Sequence, residues 1–343
     1  MDNILIEEVI NMFKPKELYC EQGIENYELG RILLDKYKEI PMKIIDSHNN
    51  IEELRKKQNS EFIDLKKKLI IGTRKTHKFV ENNKTSDYLV PYTSSGCTAM
   101  CLYCYLVCNY NKCSYLRLFV NREQMMEKIL KVSNNSEKDL TLEIGSNSDL
   151  ILENSITKNL EWTIPKFAEE GKGFLTFPTK FNMVDPLLSL EHKGKTIIRI
   201  SVNPEEIIKK IEFGTSNLES RIDAINKLQE AGYTVGILLA PIVMIKGWKE
   251  KYKELIKYLD SRLSKNVKGK AFFEIIFMTY SYIHRVINQD AFPNGINLYD
   301  KEIMTGRGRG KYTYKPEVRK EAEKFLREEL NKYFKEEKIV YIV

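Results

Sequence analysis

The stretch Gly96-Cys97-Thr98-Ala99-Met100-Cys101-Leu102-Tyr103-Cys104-Tyr105 decides how the rest of the chain is interpreted. Its three cysteines follow C-x₃-C-x₂-C spacing, which allows three thiolates to turn toward one point. Thiolate is a soft ligand, and iron–sulfur clusters and zinc both prefer it. The stretch therefore predicts a metal site built on one loop.

Two other interpretations of the three cysteines stay open from the residues alone. A structural zinc site usually has four closed ligands, whereas three cysteines leave one position open. Cysteine is also among the most buried residue types, so the three thiols could be ordinary core or free cysteines in a reducing compartment.

A glycine precedes the first cysteine and an aromatic residue precedes the third. With these neighbours the loop resembles that of the radical S-adenosylmethionine (SAM) enzymes. The resemblance implies that Cys97, Cys101 and Cys104 hold a [4Fe–4S] cluster by three of its irons. It also implies that the fourth iron binds the amino and carboxylate groups of SAM.

Length and composition limit the class of protein. The chain has 343 residues, of which 42% are hydrophobic and 30% charged. This predicts a globular protein with a sizeable core, long enough for one large α/β barrel or two ordinary domains. No apolar run approaches the ~18 residues of a membrane span, so no membrane association is expected. The start, Met1-Asp2-Asn3, does not resemble a secretion signal, and we expect a cytoplasmic protein.

The positive charge is unevenly spread along the chain. The formal net charge is +7, and the stretch Arg55–Lys78 has nine Lys or Arg against Glu61 and Asp64. A second stretch, Lys301–Lys315, has five against Glu302. If folding brings the two stretches together, they provide a surface for a polyanion. The alternative for the first half of the earlier stretch is a solvated lysine face on a helix.

The hydrophobic pattern divides the chain into three parts. Residues 1–85 are predicted as a mainly helical N-terminal extension, with helices near 4–13, 26–38 and 50–68. Residues 86–290 alternate short β-rich runs with amphipathic helices, which predicts parallel strands and a partial (β/α)6 barrel. Residues 291–343 are predicted as a basic β-hairpin followed by a helix and a short strand, packed on the barrel. The six barrel strands are predicted at Tyr88–Tyr92, Leu140–Ile144, Phe174–Phe177, Thr196–Val202, Thr234–Leu239 and Ala271–Phe277.

Small and polar residues follow these strands, at the end where α/β barrels carry their functional sites. They are Gly145-Ser146-Asn147-Ser148-Asp149, Pro178-Thr179-Lys180, Ser201 to Asn203 and Ala240-Pro241. A lysine there can pair with a carboxylate, and hydroxyl groups can bind the polar end of an amino acid or a ribose. Taken singly, such residues are also ordinary turn and helix-cap residues.

The segment Thr305–Tyr312 alternates glycine with cations. Arg307, Arg309 and Lys311 can bind phosphates, and Tyr312 can stack on a base. The segment therefore predicts a DNA-binding hairpin near the barrel opening, and the alternative is a mobile surface loop.

Several stretches beyond the cysteine loop give the chain a specific resemblance to spore photoproduct lyase, a DNA repair enzyme of endospore-forming bacteria. They run in order from about residue 86 to the C-terminus. They are Gly96–Leu106, Thr179-Lys180-Phe181 with Val184-Asp185, Gly194-Lys195-Thr196 to Asn203, Gly214-Thr215-Ser216, Ala231-Gly232-Tyr233, Ala240-Pro241-Ile242 with Gly247-Trp248, and Gly310-Lys311-Tyr312.

The resemblance implies a radical SAM carbon–carbon lyase that converts 5-thyminyl-5,6-dihydrothymine in DNA to two thymines. A 5′-deoxyadenosyl radical would take the C6 hydrogen of this lesion, which must leave the base stack to be reached. Ser148 and Lys180 would contact the methionyl end of SAM, with Ser201, Asn203 and Ala240 nearby. Tyr103 and Tyr105 would relay hydrogen, and Arg307, Arg309, Lys311 and Tyr312 would clamp the lesion. The implied setting is a monomer in the spore core or germinating cell, reduced by a flavodoxin or ferredoxin.

Two positions depart from the family pattern. A cysteine that donates hydrogen to the product radical is replaced here by Ser146, whose O–H bond is too strong for that role. We therefore predict Cys108, Cys113 or the tyrosine pair as the donor. A tryptophan common in the family is also missing before Gly306, which allows a different lesion specificity.

Two other functions stay open from the sequence. One is a radical SAM enzyme of the same lineage that acts on another nucleic acid or on a peptide. The other is a nucleic-acid-binding protein that is stabilised by a metal and does no catalysis.

Overall fold

The structure is a computed structural model that describes residues 13–82, 84–109 and 115–343. Its strands in chain order are β1 (Glu17–Glu21), β2 (Met42–Ile45), β3 (Lys68–Gly72), β4 (Val80–Glu81), β5 (Tyr88–Leu89), β6 (Ser94–Ser95), β7 (Met100–Cys101), β8 (Leu116–Phe119), β9 (Thr141–Glu143), β10 (Phe174–Thr179), β11 (Thr196–Val202), β12 (Glu212–Phe213), β13 (Thr234–Ile242), β14 (Phe272–Phe277), β15 (Thr279–Ser281), β16 (Met304–Gly308), β17 (Lys311–Tyr314) and β18 (Ile339–Ile342).

The α-helices of the described part surround these strands. In chain order they are α1 (Glu28–Lys36), α2 (Glu52–Arg55), α3 (Phe62–Leu65), α4 (Arg122–Asn134), α5 (Leu150–Thr157), α6 (Asn159–Glu170), α7 (Glu205–Ile211), α8 (Leu218–Glu230), α9 (Trp248–Arg262), α10 (Lys265–Lys270), α11 (Tyr282–Ala291) and α12 (Pro316–Asn331). Within the described ranges, no helix combines the length and the apolar composition of a membrane span.

A curled eight-stranded sheet forms the main layer, in the order β18-β14-β13-β11-β10-β9-β5-β4. Its neighbours pair in parallel except β4, which is antiparallel to β5. The six predicted barrel strands are all present in this sheet, so the predicted partial barrel is confirmed. Runs such as Ile198–Val202 and Val235–Leu239 are buried over nearly their whole length, as is typical of parallel strands covered on both faces.

The N-terminal part is more β-rich than predicted, and the expectation of a mainly helical extension is corrected here. Helix α1 is present, but strands β1, β2 and β3 lie between the helices in a five-stranded sheet of order β2-β1-β3-β8-β6. Short apolar runs such as Leu18–Cys20 and Leu69–Ile71 are fully buried. Runs of this length cannot be distinguished from helix by periodicity alone.

The same sheet bears on the predicted division of the chain. Strands β6 and β8 come from beyond residue 85 and complete the N-terminal sheet. The two boundaries, at residues 85 and 290, stay predictions. The helix predicted near residues 4–13 lies outside the described residues except for Phe13.

The C-terminal part has the predicted hairpin, helix and final strand. Strands β16 and β17 pair antiparallel, and β15 joins the other edge of β17. The turn residues Gly308, Arg309 and Gly310 all have positive φ, at 85°, 52° and 68°. Glycine adopts this left-handed region without steric cost, which explains why glycine alternates with cations in the sequence. Strand β18 then returns to the barrel and pairs with β14.

Candidate active site

A cavity of about 1000 Å³ lies at the carboxyl ends of the barrel strands. Most residues predicted from strand ends and motifs line it, namely Cys97, Cys101, Cys104, Tyr103, Tyr105, Ser148, Lys180, Ser201, Ala240, Arg307, Arg309 and Lys311. Among the predicted residues whose side chains the structure describes, two lie outside the lining. Asn203 is fully buried behind it, and Tyr312 packs against Tyr299 with ring centroids 4.5 Å apart.

The cysteine loop is tied to the barrel by backbone pairing. Strand β7 pairs antiparallel with β12, which places Cys101 opposite Glu212. The Leu102 amide donates to the carbonyl oxygen of Ile211 at 2.9 Å, and the Gly96 amide donates to that of Asn147 at 2.8 Å. The loop therefore enters the cavity from a rigid base and not as a free segment.

The three thiols share an apolar and partly cationic environment. Burial, together with the nearby Asp149 carboxylate, raises the pKa of Cys97 to about 12. Burial also raises the pKa of Cys101 well above its usual value. Lys66 acts in the opposite direction on Cys97, and its ammonium donates to the Cys97 carbonyl oxygen at 2.8 Å. A bound metal stabilises thiolate and so favours the deprotonated form of these cysteines.

The donor set fits an iron–sulfur cluster. Within the described ranges, no three His, Cys, Asp or Glu side chains are already arranged around a single metal position. A four-iron cluster does not require such convergence, because each thiolate binds a different iron. Cys97, Cys101 and Cys104 provide three soft ligands from one loop to one cavity, which is the number a site-differentiated cluster needs.

Lys180 lies at the centre of the strand-end residues. Its ammonium donates to Ser201 Oγ at 2.5 Å and to the Ala240 carbonyl oxygen at 2.7 Å. It also lies 3.4 Å from Glu212 Oε1. The barrel thus positions this cation through three strands and leaves it on the cavity wall.

Glu212 is the buried anion of this region. It accepts hydrogen bonds from the Tyr103 hydroxyl, from Asn203 Nδ2 at 2.7 Å and from Arg221 Nη2 at 2.7 Å. Burial alone would raise the pKa of Glu212, but Lys180 and Arg221 outweigh it and lower the pKa to about 2. Two cations share one carboxylate, so the cluster of Lys180, Glu212 and Arg221 has one surplus positive charge. A ligand carboxylate would neutralise that surplus.

Asp149 and Ser148 organise the loop after β9. Asp149 caps helix α5 by accepting from the Ile151 and Leu152 amides, and it also accepts from the Lys180 amide at 2.9 Å. Burial raises the pKa of Asp149 above its ordinary value. The Ser148 hydroxyl lies 2.5 Å from Ser94 Oγ, and it lines the cavity.

Tyr105 stands between the cysteine loop and the position of the expected hydrogen donor. Its hydroxyl donates to the Ser146 carbonyl oxygen, and both residues line the cavity. The side chain is 58% exposed, so a substrate in the cavity can reach it. Cys113 lies outside the described residues, and the structure does not describe the side chain of Cys108.

The rim of the cavity is basic. Arg307, Arg309 and Lys311 of the hairpin line the cavity, and so does Lys84, whose ammonium lies 5.8 Å from the ring centroid of Tyr341. No Lys or Arg of the fully described stretch Arg55–Lys78 lines this cavity, so the two basic stretches do not form one rim. Within the earlier stretch, Lys56, Lys57 and Lys68 pair with carboxylates and Lys66 is buried.

Sequence reasoning missed three charged residues of the site. They are Glu212, Arg221 and Lys66, each nearly or fully buried. Arg221 stands in an amphipathic helix where a cation normally faces solvent, so its sequence context offers no signal. The sequence context of Glu212 offers a weak signal, because Glu212 lies two residues before the quoted stretch Gly214-Thr215-Ser216.

Comparisons with known proteins agree with this geometry. A family model described as spore photoproduct lyase matches residues 13–343. The spore photoproduct lyase of Bacillus subtilis is 34% identical over 331 residues, which cover 94% of this chain and 95% of that protein. The one from a Geobacillus species is 29% identical, with 96% and 98% covered.

A solved structure is similar over the same extent. It is a spore photoproduct lyase double mutant with bound AdoMet and dinucleoside spore photoproduct. The TM-score is 0.89 and the sequence identity 28%, over 96% of this chain and 99% of the other. The likeness therefore covers the N-terminal sheet, the partial barrel and the C-terminal hairpin together.

Proposed function

This chain belongs to the spore photoproduct lyase family, and we propose that its cavity performs the repair after which that family is named. The protein is a radical SAM lyase that converts 5-thyminyl-5,6-dihydrothymine in DNA to two thymines. One observation carries the proposal. A single cavity is lined by a three-cysteine loop, by Lys180 from a cluster with a surplus positive charge, and by a basic hairpin.

Cys97, Cys101 and Cys104 would hold a [4Fe–4S] cluster, for which their number and their position on one loop are suited. When bound, the cluster and SAM supply a one-electron reduction that delivers a 5′-deoxyadenosyl radical to the C6 hydrogen of the lesion. The barrel and the hairpin surround the cavity. They would keep water and the C–H groups of other side chains away from the radical. We expect the electron to come from a flavodoxin or ferredoxin.

The strand-end residues would bind the methionyl end of SAM. Lys180 offers its ammonium to the carboxylate, and the surplus positive charge of the Lys180–Glu212–Arg221 cluster favours that anion. Ser148 and Ser201 offer hydroxyls, and the Ala240 carbonyl oxygen holds Lys180 and Ser201 in place by accepting a hydrogen bond from each. Asn203 acts from behind the wall, since it donates to Glu212 and accepts from Tyr252.

The hydrogen donor for the product is Tyr105 in this proposal. Homolysis of its O–H bond transfers one hydrogen atom to the methylene radical of thymine and leaves a tyrosyl radical, which Tyr103 helps to return toward SAM. The contact of Tyr105 with Ser146 supports this role, because it places a weaker O–H bond beside the position where a thiol is expected. Cys108 and Cys113 remain the alternative donors.

The hairpin residues Arg307, Arg309, Lys311 and Tyr312 would hold the DNA on both sides of the lesion. The protein would act as a monomer in the cytoplasm, either in the spore core or in the germinating cell, where its DNA substrate is found.

The decisive experiment uses the anaerobically reconstituted protein with SAM, a reductant and a dinucleotide that carries the lesion. We expect thymidylyl-thymidine as the product, with little net consumption of SAM. Reductive SAM cleavage without this product would show a different substrate. A colourless protein that retains zinc and cleaves no SAM would favour the binding protein instead.

The donor is tested by Tyr105→Phe in deuterated water. In the wild type the restored thymine should carry deuterium in its methyl group, because the phenolic hydrogen exchanges with solvent. Tyr105→Phe should lose this label and consume several-fold more SAM per repair, and a further Ser146→Cys change should restore both. An unchanged label in Tyr105→Phe would exclude Tyr105 and point to Cys108 or Cys113.

A further inference from the structure

Two large apolar side chains are exposed side by side at the start of helix α11. Tyr282 is 55% exposed and Ile283 is 54% exposed. Single exposed apolar residues are ordinary on a protein surface. This pair differs because of where it stands, next to the opening of the active site.

The pair is held rigidly at the rim. The Tyr282 amide donates to the Gly310 carbonyl oxygen in the hairpin turn at 2.8 Å. Ser281 Oγ caps the helix by accepting from the His284 amide at 3.0 Å. Tyr280 and His284 are each 2% exposed, so buried residues lie immediately on both sides of the exposed pair.

The cavity and the phosphate-binding cations adjoin the same pair. Ser281 and His284 line the cavity, as do Arg309 and Lys311 from the turn that Tyr282 contacts. A duplex whose backbone is held by these cations would therefore meet Tyr282 and Ile283 where the lesion enters the cavity. The charge of the rim makes DNA the partner that fits this apolar pair.

The chemistry requires a gap in the DNA at this place. The lesion joins two adjacent bases, and both must leave the stack for its C6 hydrogen to be reached. Proteins that open a base step commonly fill it with an apolar side chain, which offsets an unstacking cost of roughly a few kcal/mol per step.

We propose that Tyr282 and Ile283 form a wedge that enters the base stack vacated by the lesion. The inference rests on the proposed function and adds to it a step required only by duplex DNA. The wedge touches neither SAM nor the reacting atoms, so it acts by stabilising the extruded lesion.

The test compares the double variant Tyr282→Ala/Ile283→Ala with wild type on three substrates that carry the same lesion. These are a duplex, the corresponding single strand and the dinucleotide. We expect kcat/KM to fall at least about tenfold on the duplex, about twofold or less on the single strand, and not at all on the dinucleotide. Mismatched bases opposite the lesion should restore much of the duplex activity, because the lesion then leaves the stack more easily.

A matched control is the double variant Tyr333→Ala/Ile32→Ala, which removes two other exposed apolar side chains. Tyr333 is 37% exposed and Ile32 is 49% exposed, and this variant should leave kcat/KM unchanged on all three substrates. The conservative variant Tyr282→Trp/Ile283→Leu should retain duplex repair. Equal loss on all three substrates, or an unaffected duplex, would overturn the wedge. If wild type fails even on the dinucleotide, the proposed function is wrong and the wedge falls with it.

Discussion

The inner wall and the outer rim of the same cavity use charge in opposite ways. On the inner wall Glu212 and Arg221 are buried and Lys180 is partly buried, and the Glu212 carboxylate binds Arg221 at 2.7 Å and lies 3.4 Å from Lys180. On the rim Arg307, Arg309 and Lys311 project from a hairpin, and among the described residues no carboxylate pairs with them. The wall therefore has the arrangement that suits one small ligand of fixed charge, whereas the unpaired charge of the rim suits a polyanion.

This difference has an energetic counterpart. A buried charge that loses its partner remains unsolvated, so changes on the wall reduce stability as well as binding. An exposed, unpaired cation can be removed without loss of folded-state contacts, so changes on the rim affect binding alone. Four predictions follow from this contrast, beginning with the largest effect.

The largest effect is expected from replacing a cysteine of the loop. Cys101→Ala should lose bound iron and its visible absorption after anaerobic reconstitution, and lesion repair should be undetectable, because one cluster ligand is missing. Cys20→Ala is the matched control, since Cys20 is an equally buried thiol in the N-terminal core. An iron-loaded, active Cys101→Ala variant would contradict the assignment of the cluster ligands.

Removing the buried anion tests the inner wall. Glu212→Gln leaves Lys180 and Arg221 without their common partner, and we expect the free energy of unfolding at pH 7 to fall by roughly 3–5 kcal/mol. Urea denaturation measures this change.

The pH dependence of the same variant provides its internal check. The pKa of Glu212 is lowered to about 2 in the folded protein, so its contribution is present above its unfolded value of about 4.5 and is lost as the pH falls toward 2. The difference between wild type and Glu212→Gln should therefore shrink over this interval. A difference that stays constant down to pH 3 would show that Glu212 stabilises the fold by packing instead of charge.

Lys180→Met tests whether the surplus charge of the wall binds SAM. We expect the affinity for SAM to fall about 10- to 100-fold, as for loss of a charge-assisted hydrogen bond, measured by equilibrium dialysis with the reconstituted protein. Lys227→Met, which removes an exposed lysine paired with Asp185, should leave the affinity unchanged. Equal SAM affinity in both variants would refute the role of Lys180.

The smallest effect is expected at the rim. Arg307→Ala should weaken duplex binding about threefold and reduce the slope of log affinity against log salt by about 1, as for loss of one phosphate contact. Its thermal unfolding should match wild type. Arg327→Ala is the control, because Arg327 pairs with Glu323 on α12. A lowered melting temperature in Arg307→Ala would break the contrast between wall and rim.

How much could be predicted differs among the parts of the chain. The barrel strands were predictable because apolar β-rich runs alternate with amphipathic helices, and Thr196–Val202 is found with the predicted bounds. The N-terminal sheet was not, since buried runs such as Leu69–Ile71 lack a distinctive period. The role of glycine in the hairpin was only half predicted, because the positive φ of Gly308 and Gly310 depends on the turn.

The sequence by itself determined that three soft ligands stand on one loop, because three cysteines at short spacing are local features that no distant contact needs to create. It also determined the class of architecture, since the periodicity of each element is local too. Only the tertiary structure decided which charges form the site. The sequence selects Lys180 from its place after a strand, but nothing in it pairs Lys180 with Glu212, 32 positions away. The fold places the two side chains 3.4 Å apart, with Glu212 fully buried. Burial gives such pairs their effect, and burial is a property of the whole fold.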